Sequence, residues 1–348
     1  MAVETKPFGQ LPDGRDVTAY TLSNGNNMFL TVTNYGCRIL SLQVPDRDGK
    51  LGDVVLGHRT LEEYFGANYQ GAAIGRWGNR IDGAAFTLEG REYSLAKNDG
   101  QNSLHGGPGG FHQALWQGHA QDDEEPWVRF TLKSPDGEEG FPGNLEASIT
   151  YTLTKGNCLK ISYQAESDAT TPYNPTNHSF FNLSGDPGKD VLGTSLTINA
   201  QRVTQVRDDL IPTGQFIQVE NGPLDFRSPK LLGQDMFADD HLIKLCGGYD
   251  HNFCIDSSGF RKIAEAYEPD SGRVMEVFTD MPGVQLYTFN RPGPGLTGKD
   301  GQPMRPHTAF CLETQFYPDT MHHDHFPGGF LEKGQPFASE TVYKFSAR

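Results

Sequence analysis

The chain has no paired-cysteine pattern, no long apolar run and no excess of positive charge. Its five cysteines, Cys37, Cys158, Cys246, Cys254 and Cys311, are odd in number and scattered, with no CxxC pair. The expectation is a reduced, cytoplasmic protein with small buried thiols. Nowhere do apolar residues approach the roughly 20 needed to cross a bilayer as a helix. The N-terminal stretch, "MAVETKPFGQLPDGRD", lacks the charged-then-apolar order of a secretory leader. Against 29 Lys+Arg stand 44 Asp+Glu, a formal net charge of −15. Nucleic acid and anionic membranes need a basic face, so neither is an expected partner. Helical periodicity is scarce too: only "TLEEYF" (60–65) suggests one short turn.

What is abundant points to strands. Gly 41 and Pro 22 supply many turns, and 22 Phe with 13 Tyr supply a large aromatic core. Apolar residues alternate in "ILSLQV" (39–44), which places Leu40, Leu42 and Val44 on one face. Ile149, Tyr151, Leu153 and Leu159, Ile161, Tyr163 flank Lys155-Gly156-Asn157, a hairpin signal because Gly and Asn tolerate positive φ. Residues 20–33 repeat the device around "SNGNN". Further strands are expected at 127–133, 194–199, 273–279, 284–289 and 340–346. No repeat or linker interrupts the pattern, so the fold class is all-β: residues 1–348 as one domain, a sandwich of large antiparallel sheets.

Three stretches imitate chemistry that the context does not support. "GPGLTGKD" (293–300) falls one residue short of a phosphate-binding loop, because Asp300 replaces the metal-binding hydroxyl and repels phosphate. "DRDGK" (46–50) opens like a calcium loop, but Gly57 stands where the closing Glu belongs, so it reads as a turn. "MHHDHF" (321–326) has the residue types for zinc, yet it lies between "YPDT" and "PGG" and reads as a flexible surface loop. In an extended segment its His323 and His325 would share a side, opposite His322.

Polar residues with a different character gather where strands meet loops. They occur in "GRWGNRI" (75–81), "NSLHGG" (102–107), "TNHSFFNLSG" (176–185), "GYDHNF" (248–253), "PGVQLYTFN" (282–290) and "CLETQ" (311–315). His, Asp, Glu, Arg and Gln beside aromatics are the kit for a sugar, whose hydroxyls need planar hydrogen-bond partners and whose C–H face needs a ring. Taken singly, Arg80 reads equally as a structural ion pair and His105 as a turn residue. Glu313 is harder to dismiss, because an unpaired carboxylate in the apolar frame "FCLETQF" is costly without a function. From the residues alone the chain is a β-rich enzyme or a sugar-binding protein.

These same motifs, in this order and with "SPDGEEGFPG", "LIPTG" and the terminal "KFS", resemble the galactose mutarotase (aldose 1-epimerase) family over almost the whole chain. The resemblance implies an antiparallel β-supersandwich without metal or cofactor that interconverts the α and β anomers of free aldoses. It implies Glu313 as general base and His178 as general acid, with Asn79, Arg80, His105, Asp250 and Gln285 as substrate contacts. Glu313 would take the O1 proton while His178 protonates the ring oxygen O5. That requires an ionised Glu313 and a protonated His178, and a protonated His105 is compatible with it. Asp250 would favour the charged imidazole. The Phe180-Phe181 pair would anchor the His178 strand in the core. Trp77 and Gly78 depart from the family pattern and are expected to reshape the pocket wall. A hexose-6-phosphate mutarotase, with Arg76 as an extra cation, and a non-catalytic sugar-binding module are the alternatives. The protein is expected as a monomer or at most a weak homodimer.

Overall fold

Three antiparallel sheets hold most of the strand residues in the computed structural model, which describes residues 2–66 and 68–348. The first is a five-stranded meander in chain order: Ala2–Gln10, Asp16–Ser23, Phe29–Thr33, Ile39–Pro45 and Leu51–Asp53. Its second strand turns into the third at "SNGNN", with Gly25 at φ 72° and Asn27 at φ 55°. The nine-stranded sheet runs from Gln117–Gln121 through Trp127–Ser134, Leu145–Leu153 and Cys158–Ser167. It then crosses the C-terminal strand Phe337–Ala347 to Arg273–Thr279, Arg261–Tyr267, Ser195–Ile198 and Lys230–Leu231. The hairpin expected at Lys155-Gly156-Asn157 is present, and Asn157 alone carries the positive φ, 58°. The third sheet orders Pro212–Gln218, Ala200–Val206, Asp250–Ile255, Gly283–Tyr287 and Cys311–Gln315.

The nine-stranded sheet packs against both smaller ones, because alternation leaves it an apolar face longer than either partner. At one end Tyr20 meets Phe130 edge-on, ring centroids 5.5 Å apart, and the Tyr151 hydroxyl donates to Cys37 O at 2.6 Å. At the other, the Tyr343 hydroxyl donates to Leu312 O at 2.9 Å, and Thr314 shares a hydrogen bond with Thr341 at 2.5 Å. A continuous apolar core joins these ends, from Leu22 and Leu30 through Ile149 and Ile161 to Leu312 and Phe345. Each fully buried Leu or Ile there contributes roughly 1.5–3 kcal/mol.

"TLEEYF" yields a single 3₁₀ turn, Glu62–Tyr64. "DRDGK" is a turn, closed by Asp46 Oδ1 accepting from the backbone N–H of Asp48 and Lys50. Two short α-helices lie outside the strand pattern, Leu232–Asp235 and His241–Cys246. The second is capped by Asp240, whose carboxylate accepts from Leu242 N and Ile243 N, and it ends at Gly247 with φ 70°. At six residues it is too short to show a period of 3.6. Among the described residues no helix is long and apolar enough to cross a membrane.

Candidate active site

Register in the third sheet assembles the acidic half of the site. Asn252, Gln285 and Glu313 are lateral neighbours in one row, and Asp250, Tyr287 and Cys311 in the next. Residues two apart on a strand share a face, so these six side chains project together. A one-residue slip would turn them all to the opposite side. His178 arrives from the other direction. Its strand, Thr176–His178, pairs with Ala72–Ile74, and Phe181 then exchanges two backbone hydrogen bonds with Phe310, 2.8 and 2.9 Å. That docking sets the imidazole beside Cys311 and Glu313. Phe181 is the core anchor, wholly buried, whereas Phe180 lines the cavity and stacks on His178 with centroids 4.8 Å apart.

The resulting cavity, about 550 Å³, is lined by Asn79, Arg80, His105, His178, Asp250 and Glu313. Six of the seven predicted residues thus face one space. Gln285 stands behind it: its amide donates to Asp250 Oδ1 at 2.7 Å and accepts from Gln315 Nε2 at 3.3 Å. It orients the carboxylate from outside the lining. Trp77 is also outside, buried against Ile81, Phe86 and Phe141, so it does not reshape the wall as expected. The sequence reading missed Tyr69, Asp99, Cys246 and Tyr287, which also face the cavity, as do Leu210, Asn290 and Arg291. Asp99 holds Arg80 through Nε at 2.7 Å, a pairing 19 residues apart with no sequence signal.

Glu313 Oε1 lies 3.6 Å from His178 Nε2, and both side chains are almost fully buried. Glu313 Oε2 has no protein partner among the described residues. Burial pushes the Glu313 carboxyl well above its usual range; Asp250 adds to the rise and Arg80 opposes it. Burial lowers His178 to about 3. The protein's own groups therefore place the proton shared by this pair on the carboxyl. Asp250 acts on Glu313 and Arg80 rather than holding the imidazolium. For Arg80, Asp250 and Asp99 outweigh the cost of burial, so its charge is secure.

His105 corrects a second expectation. Its Nδ1 accepts a hydrogen bond from Asn79 N at 3.1 Å, and the His105 backbone N–H donates to Asn79 O at 3.1 Å. With that lone pair taken, the ring is neutral and presents Nε2–H to the cavity. Burial, then His178 and Arg80, push its pKa well down. The tight backbone that achieves this needs Gly106 at φ +81°, where a Cβ would stand 1.9 Å from Gly75 O.

His105, His178 and Glu313 each bring a potential ligand atom within 4.8 Å of the others. The hydrogen bond from Asn79 argues against a metal there: with Nδ1 accepting that N–H, the ring proton sits on Nε2, which has no lone pair left to offer an ion. The histidine-rich segment is tied down rather than flexible: His322 Nδ1 bonds Asp319 at 2.7 Å, while His323 Nε2 and His325 Nε2 donate to Pro212 O and Gly214 O. Activity is accordingly expected to survive exhaustive EDTA treatment; loss on chelation with recovery on zinc would contradict this. Lys299 of "GPGLTGKD" spends its charge on Asp53 at 2.7 Å and Val55 O at 2.9 Å. Arg76 is buried, with its guanidinium donating to Ser134 O, Pro135 O and Pro142 O.

A buried carboxyl–imidazole pair thus lies inside a cavity lined by hydrogen-bonding side chains, on a β-sandwich. The family model described as aldose 1-epimerase matches residues 18–344, and the chain belongs to that family. It is 40% identical over 348 residues to the galactose mutarotase of Bos taurus, covering 99% of each chain. To the aldose 1-epimerase of Escherichia coli K12 it is 36% identical over 97% of each. The crystal structure of galactose 1-epimerase from Lactobacillus acidophilus superposes with a TM-score of 0.88 at 26% identity, covering 99% of both chains. The fold is that of the galactose mutarotases.

Proposed function

We propose that the protein is an aldose 1-epimerase that interconverts the α and β anomers of free hexoses such as galactose and glucose. The observation that carries the reading is the 3.6 Å approach of Glu313 Oε1 to His178 Nε2 in a cavity lined by fixed donors and acceptors. Glu313 takes the O1 proton and His178 delivers one to O5. The C1–O5 bond opens to the aldehyde, C1–C2 rotates, and reclosure reverses both transfers. Before this the shared proton must sit on His178. The neutral pair and the ion pair hold the same number of protons, so a single transfer across the gap interconverts them. Arg80 and the O1 hydroxyl stabilise the carboxylate when the sugar is present. Asn79, Arg80, His105 and Asp250 hold the ring hydroxyls, with His105 acting as a neutral Nε2–H donor and Gln285 steadying Asp250. A binding module would need neither Glu313 nor His178, and both are in place. No cofactor enters the scheme. Residues 1–348 act as one domain, supported by the continuous core. Five free cysteines suit the cytoplasm, and a monomer or weak homodimer suffices, since one chain supplies every residue of the site.

Free hexoses rather than hexose 6-phosphates are the expected substrates. A phosphate dianion wants two or more converging cationic or N–H donors. Arg76 spends its guanidinium on carbonyls, Arg80 is engaged by Asp99, and Asp99 and Asp250 put acidic side chains on the cavity lining. The check is kcat/KM for galactose and glucose against glucose 6-phosphate. A preference for the phosphorylated sugar would overturn the assignment and direct mutagenesis to Arg291, the other cation on the cavity lining.

A further inference from the structure

Resting on that acid–base reading of His178, the geometry points to Cys311 as a positioning residue that meets the imidazole Nδ1 in both of its protonation states. Cys311 and Glu313 stand two residues apart on one strand and share its face. Cys311 Sγ lies 3.5 Å from His178 Nδ1, while Glu313 Oε1 lies 3.6 Å from Nε2. A single strand thus addresses both ring nitrogens, and the stack on Phe180 fixes the ring plane between them.

The choice of sulfur matters. Cys311 is fully buried and unpaired. Burial pushes its thiol well up, with Glu313 and Asp250 adding to the effect, so it remains S–H at working pH. A thiol is both a weak donor and a weak acceptor. In the neutral ring sulfur accepts from Nδ1–H, which leaves the Nε2 lone pair facing Glu313 to receive its proton. In the imidazolium sulfur still accepts from the same Nδ1–H. A carboxylate at this position would hold the cation so firmly that it became a poor acid. An aliphatic side chain would strand a buried N–H when the ring is charged. The thiol admits the imidazolium at little cost and leaves it a strong proton donor. Sulfur forms no covalent bond in the cycle.

The test measures kcat and KM for galactose from about pH 5 to about pH 9 in wild type, Cys311→Ala, Cys311→Ser and His178→Asn. Cys311→Ala should lose about tenfold in kcat, the worth of one buried hydrogen bond, with KM nearly unchanged. Its alkaline limb of kcat should move to lower pH, because the imidazolium has lost its partner. Cys311→Ser should recover most of kcat. Unchanged kcat and pH limbs in the Ala variant, a change in KM alone, or a Ser variant no better than Ala would overturn the inference. If the Ala variant does not fold, Ser decides: its hydroxyl is the better acceptor, so the alkaline limb should rise, and an unmoved limb would refute the role. An active His178→Asn would refute the acid–base reading itself; an inactive one beside a normal Cys311→Ala would refute only the part assigned to Cys311.

Discussion

Glu313→Gln is expected to keep the fold and much of the sugar affinity while losing roughly 10²–10⁴ in turnover, the usual worth of one positioned acid or base. The fold should survive because glutamine matches glutamate in shape and because this site already penalises charge. Burial raises the carboxyl well above its normal range, and Oε2 has no protein partner to lose among the described residues. Affinity should survive because the cavity keeps Arg80, His105 and Asp250. What disappears is the acceptor for the O1 proton, which an amide cannot replace. His178→Asn should behave likewise, since it removes the donor to O5 while leaving a planar polar group. A Gln variant with near-normal rates would remove Glu313 from the mechanism.

The second large effect is on stability. His105 is held well below its usual pKa, His112 and His178 at about 3, and His251 at about 4, in each case chiefly by burial. Unfolded, all four would take up protons as pH falls below their ordinary value of 6.5. The folded state refuses those protons, so stability present above 6.5 is lost as pH falls towards the folded values. Glu313 works in the opposite sense, because its raised carboxyl binds a proton in the fold that the unfolded chain releases above 4.5. His58, lowered, and His322, raised, offset one another. Four protons less one for Glu313, and less part of one for Glu139, whose carboxyl burial also raises, leaves between two and three, or ~3–4 kcal/mol per pH unit in the steepest part of the window from 6.5 down to about 4.5. Against a typical total of roughly 5–15 kcal/mol, that is enough to unfold the protein in mild acid. Urea midpoints followed by circular dichroism from about pH 7.5 to about pH 5 should fall steeply; midpoints independent of pH would contradict it. His112→Phe should flatten the slope by about one proton without harming the native fold, since both ring nitrogens of His112 lack partners among the described residues.

The parts of this molecule legible in its sequence are those governed by local pattern. Alternation located the strands, and Gly and Asn at positive φ located the hairpins, as at Asn157. Glu313 was legible because an acidic residue in "FCLETQF" conflicts with its surroundings, and the family resemblance supplied its partner in His178. Protonation was not legible. That His105 is locked neutral depends on Asn79, 26 residues away, donating to a particular ring nitrogen. Gln285 and Trp77 lie in site motifs yet stand outside the lining, a distinction set by sheet register and by packing against Phe86 and Phe141. Arg76 and Arg80 are four residues apart in one motif, but one braces three carbonyls and the other faces the cavity. Only the three-dimensional course of "GRWGNRI" separates them.

The most direct test of the account is polarimetry of freshly dissolved α-D-galactose with wild type, the two single variants and Glu313→Gln/His178→Asn at equal concentration. If the buried pair acts as a unit, wild type speeds the approach to equilibrium rotation far beyond buffer, and the double variant is no slower than the poorer single. A wild-type rate equal to buffer, or single losses that multiply in the double variant, would contradict it.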